Sequence, residues 1–180
     1  MQGGAAAAVL MASGDLDAIE PELSRLDALL QPIAHRPIAF ERLPELARNP
    51  PVFRPLDEAG IRAEAEALVD RLLRYYESAD DAGRDAARRL LGRHRAFCWA
   101  ARPKAPRDTA EGLRAHLLHV SLVDQASDPR DEILRIRHLC AKARAAGIDP
   151  SPILREVAAL SSNENRYHMG STREFLLQSA

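Results

Sequence analysis

The sequence predicts an all-α protein: a single-domain, irregular helical bundle of about six helices, with a Pro-rich connector and a short C-terminal helix. Three observations carry this. Ala and Leu are abundant while aromatics make up 4% of the chain, so the core must be aliphatic and helix-forming. Apolar residues recur three and four apart through several separate segments. Between those segments lie prolines, Asp/Ser caps and one well-placed glycine, the punctuation expected of helix ends. At 180 residues and 46% hydrophobic, the chain is long enough for one filled core. Residues 1–12 are expected to be a flexible N-terminal segment and 13–180 one helical domain.

The first helix is expected from Ser13 or Asp15 to about Gln31, with Leu16, Ile19, Leu23, Leu26, Leu29 and Leu30 as its stripe and Pro21 as an irregularity. Residues 32–56 hold Pro32, Pro37, Pro44, Pro50, Pro51 and Pro55, which forbids a long helix and disfavours a central strand. A short helix over Ile38–Arg48 is the most regular structure this connector allows. Asp57–Ser78 reads as a helix through Ile61, Ala65, Leu68, Leu72 and Tyr75/Tyr76. Ser78 to Asp81 then caps another, predicted to run unbroken to Ala101, where Pro103 and Pro106 end it.

Asp108 and Glu111 have capping-box spacing, opening a helix to about Gln125. Leu113, Leu117, Val120 and Val123 lie on one side of it and Ala115, Leu118 and Leu122 on another. A helix apolar on two faces is surrounded, which marks this one as central. Asp128-Pro129 starts the next, ending at Gly147, and a further helix begins at Asp149-Pro150 or Ser151-Pro152 and reaches Leu160. Residues 161–180 form a polar loop and a short docking helix, started by a Ser171/Glu174 capping box. Phe175, Leu176 and Leu177 need a hydrophobic surface, because so short a helix is marginal alone; the bundle itself is the expected receptor.

Net charge is −1, but from Arg84 to Arg107 there are eight Arg/Lys against one acid, Asp85. On a helical wheel Arg84, Arg88, Arg95 and Trp99 share one edge, opposite an apolar arc. Such a row suits an acidic protein surface or nucleic-acid phosphates with a base on the indole. The bland alternative is a solvated face paired with acids such as Glu64, Glu66 and Asp70. At the C-terminus, Arg166, Tyr167, His168 and Arg173 flank a helix start and form a second interaction or anion-binding candidate.

His94 and Cys98 are four apart, and His116 and His119 three apart on the following helix, a spacing that could assemble a zinc or iron site if the two pairs met. No Gly-x-Ser-x-Gly, phosphate loop, dinucleotide fingerprint or zincin motif occurs, and no catalytic residue or cofactor is assigned. Cys98 and Cys140 are too few for a disulfide framework, which favours a reducing, cytoplasmic setting. No apolar run approaches the ~20 residues of a membrane span. The leading expectation is a non-enzymatic helical interaction, adaptor or assembly module. It would use the basic helix and C-terminal segment on a protein partner or another copy of itself. A metal-binding bundle enzyme or sensor is the alternative, and non-specific nucleic-acid binding the third reading.

Overall fold

The computed structural model describes residues 3–34, 57–123, 129–161 and 172–180. Among these the protein is all-α, with eight helices: α1 (Gly3–Ala34), α2 (Glu58–Ser78), α3 (Asp81–Gly92), α4 (Arg95–Ala100), α5 (Ala110–Leu122), α6 (Pro129–Ala145), α7 (Ser151–Leu160) and α8 (Thr172–Ser179). The expected Ile38–Arg48 helix and most of the Pro-rich connector fall outside the described residues. So do Ser171 of the C-terminal capping box and the loop carrying Arg166, Tyr167 and His168.

Helix α1 starts ten residues before the predicted Ser13 and runs through Pro21 without interruption. Proline inside a helix costs about 3 kcal/mol. Buried Leu16 and Ile19 precede it, and buried Leu23, Leu26 and Leu30 follow it. Each such burial is worth ~1.5–3 kcal/mol, so packing against α2 and α4 outweighs the local penalty. In α2, the Asp57 carboxylate accepts from the Gly60 N–H at 3.0 Å, and the predicted stripe is buried along its whole length. Ion pairs Arg25–Glu64 and Arg71–Glu22 flank the α1–α2 contact on its exposed margins.

The predicted helix from Asp81 to Ala101 is two. Asp80 caps α3 by accepting from Gly83 N at 2.8 Å, but the chain tightens at Arg93 and His94, whose N–H groups donate to Leu90 and Leu91. It restarts as α4, whose N-cap residue His94 supplies no side-chain cap. The cap comes from α1: the buried Asp27 carboxylate accepts from Phe97 N at 2.9 Å. That tertiary cap redirects α4 so that Ala96, Phe97, Cys98 and Ala101 enter the core. This split raises the helix count above the six expected.

Helix α5 is central, touching α2, α3, α6 and α7, with buried residues from Gly112 to Leu122 on several faces. Its N-cap is Thr109 rather than Asp108; the Thr109 hydroxyl accepts from Gly112 N at 3.0 Å. Helix α6 ends in a Schellman motif: Ile148 N donates to Ala143 O, Gly147 N to Arg144 O, and Gly147 takes φ +79°. Helix α7 is held at its far end by a buried polar network. The Tyr76 hydroxyl donates to Leu160 O at 2.9 Å and lies 3.3 Å from Ser121 Oγ, which is 2.6 Å from Ser161 Oγ. Helix α8 docks on α6 and α7 of its own bundle, with Leu176 fully buried and the Phe175 ring under the Arg137 guanidinium.

Candidate anion site

The predicted arginine row does not form one surface. Arg88 is 2% exposed, lies 5.1 Å from the Tyr76 ring centroid, and donates to the Tyr76 hydroxyl and to Asp85. Arg84 is also drawn inward, its Nε donating to Tyr76 O at 3.0 Å. The helical break rotates α4 away from the wheel on which all four residues shared an edge. Arg95 and the half-exposed Trp99 remain outside on α4. Glu64 pairs with Arg25, not with the basic helices, while Arg93 lies 3.4 Å from Glu20. At the C-terminus, Arg173 is half-buried on α8.

The remaining part of the basic block builds a cavity. After α4, Arg102 folds back and donates through Nη1 to Cys98 O and Ala101 O, both at 2.8 Å, satisfying the helix's last carbonyls. The following turn sits tightly against the start of α5. A Cβ on Gly112 would come within 1.6 Å of Pro106 O, so glycine is required for that approach. His116 secures the turn from the side: its Nε2 donates to Ala105 O at 2.9 Å. A carbonyl can only accept, so the proton is on Nε2.

This arrangement carries Arg102 and Arg107 to a cavity of about 200 Å³. Helix α5 contributes His116, His119 and Val120, and α6 contributes Arg135, His138 and Leu139, each set at i, i+3, i+4 on one face. Arg107 and His138 are exposed at the opening, whereas His116 and His119 are 5% and 3% exposed. Among the described residues no carboxylate lines the cavity. Two buried polar atoms here, His119 Nε2 and Arg135 Nη1, have no hydrogen-bond partner.

The electrostatics follow from that composition. Burial, followed by the charges of Arg135 and Arg107, pulls Arg102 down to about 10. Burial, with Arg102, Arg135 and His116 adding repulsion, holds His119 well below the ordinary histidine range. His116 is lowered for the same leading reason, partly offset by its bond to Ala105. At neutral pH the site therefore presents three guanidiniums and neutral imidazoles in its buried part. Such a set can stabilise an anion but has no carboxylate to hold a cation.

His116 and His119 do share one site, as their spacing suggested. His94 instead lies 3.8 Å from Asp27, and the Cys98 thiol donates to Leu91 O. Burial, then Asp27, pushes that thiol up to about 12, far from the thiolate a metal needs. Among the described residues no three His, Cys, Asp or Glu side chains are grouped to hold a metal ion. Sequence reasoning missed Arg102, Arg107, Arg135 and His138. The signal was the Arg135-x-x-His138 spacing beside His116-x-x-His119, together with the far end of the basic block.

No helix among the described residues is long and apolar enough to cross a membrane. The chain matches no protein-family model, no curated protein and no solved structure.

Proposed function

We propose that this chain is a non-enzymatic helical binding module that recognises an anionic group on its partner through the Arg/His cavity between the 102–107 turn, α5 and α6. The observation that carries the reading is the convergence of Arg102, Arg107 and Arg135 on one opening with no lining carboxylate among the described residues. Holding like charges together is unfavourable unless an anion offsets them, and charge-assisted bonds to guanidinium are the strong ones. The interaction-module expectation is thus kept, with its contact site moved from the Arg84/Arg88 edge to the cavity. The exposed Arg95 and Trp99 do not line the cavity and have no part in this reading.

The test is anion-dependent thermal stability in a weakly coordinating buffer. Millimolar phosphate, sulfate or malonate should raise Tm in the native chain, and the rise should vanish in Arg135→Gln. If no multivalent anion raises Tm beyond matched sodium chloride, the reading is wrong. Equal rises in Arg135→Gln would place any anion elsewhere.

A further inference from the structure

Resting on the anion-binding reading, we infer that the cavity's ligand is a small phosphate monoester, its phosphate seated on Arg102, Arg135 and His119 and its organic part along Val120 and Leu139 towards the opening.

Geometry separates a phosphate from a carboxylate. Donors reach the cavity from three separate stretches of chain: the 102–107 turn, α5 and α6. A planar carboxylate is well served by one coplanar guanidinium fork. A tetrahedral phosphate presents oxygens in several directions and uses donors arriving from several sides. The inner partners also fit. Arg135 Nη1 is a buried donor awaiting an acceptor, and His119 Nε2 is a second unpartnered buried atom on the same cavity. Neutral His119 with its proton on Nε2 donates that N–H to a phosphate oxygen.

Charge and size narrow the class further. A monoester's second ionisation lies near pH 6, so at pH 7.5 it brings close to two negative charges against the three guanidiniums. The cavity of about 200 Å³ is below the ~300–1,000 Å³ of pockets that enclose drug-sized ligands, so the part of the ligand it encloses is small, a phosphate and a few carbons. Val120 and Leu139 give that portion an apolar wall, and exposed Arg107 and His138 stand where it leaves. A nucleic-acid strand would need a continuous basic groove, whereas Arg84 and Arg88 are withdrawn into the protein.

Calorimetric titration of the full chain at pH 7.5 with glycerol 3-phosphate, inorganic phosphate, succinate and a single-stranded oligouridylate tests this. Glycerol 3-phosphate should bind saturably at one site, more tightly than inorganic phosphate and at least tenfold more tightly than succinate. Arg135→Gln should weaken it by about tenfold or more, the effect of losing one charge-assisted bond. Arg107→Gln, at an exposed position where folding is not at stake, should weaken it about two- to fivefold. Succinate binding as tightly as the monoester would overturn the phosphate assignment while leaving the anion site intact. Inorganic phosphate binding in preference to the monoester would overturn the organic subsite. Oligouridylate binding undiminished by Arg135→Gln, with no monoester binding, would overturn both, as would silence from all four probes.

Discussion

Replacing Asp27 by Ala tests whether a single carboxylate on α1 sets the direction of α4. Asp27 is 8% exposed, and its Oδ1 takes the Phe97 N–H at 2.9 Å, seventy residues along the chain. Loss of a helix N-cap costs ~0.5–2 kcal/mol. A buried N–H left without an acceptor costs ~1–3 kcal/mol. These describe the same broken bond and do not add, so Asp27→Ala should lose about 1–3 kcal/mol. For a chain of this length each kcal/mol lowers Tm by ~2–4 °C, which predicts a fall of about 2–12 °C. Asp27→Asn keeps an acceptor oxygen and should lose about 1 kcal/mol or less. Urea unfolding followed by far-UV circular dichroism gives the free energies, and the fluorescence of Trp99, the single tryptophan, reports α4 itself. Hydrogen exchange at Phe97 should accelerate in the alanine variant. If Asp27→Ala stays within about 0.5 kcal/mol of the native chain and the Phe97 amide remains protected, the tertiary-cap account is refuted.

Other substitutions probe the remaining supports. Leu176→Ala should cost ~2–5 kcal/mol in urea unfolding, because Leu176 is fully buried against α6 and α7; a loss below about 0.5 kcal/mol would mean that α8 is not docked. Tyr76→Phe should cost ~1–3 kcal/mol by stripping Leu160 O and Ser121 of a partner, and should raise exchange at the C-terminal end of α7. His119 is held below its ordinary value of 6.5, so below that pH the unfolded chain takes the proton first. Stability contributed by neutral His119 should be complete above about pH 6.5 and fall below it by up to about 1.4 kcal/mol per pH unit; His119→Gln should flatten that decline. Cys98 and Cys140 are buried and burial pushes both thiols up, away from the thiolate, so both should resist iodoacetamide in the native chain and react after unfolding.

The bundle was legible because its elements are locally consistent. The stripe of α2, the Pro129 start and Gly147 finish of α6, and the two-sided α5 all carry their reasons within a few residues. What escaped was decided at a distance. Nothing near His94 announces a helix break, since the cap that creates it belongs to Asp27. Pro21 was expected to disturb α1, but the burial of five flanking aliphatic residues is a tertiary gain that local propensity does not contain. Arg88 was placed outside by its position on the wheel opposite the apolar arc, yet it is buried with Tyr76 and Asp85 as partners. The cavity was half legible. His116 and His119 were singled out by spacing, but their neighbours proved to be Arg102 and Arg135 rather than Cys98 and His94. That exchange of neighbours gives the cavity the lining proposed for an anion rather than for a cation.

The most direct measurement is an NMR titration of the histidine ring protons with glycerol 3-phosphate at pH 7.5. Binding at the cavity predicts saturable shifts for His116, His119 and His138, with one common dissociation constant, while His94, placed beside Asp27, stays fixed. Unmoved His116 and His119 resonances at saturating ligand would contradict the account.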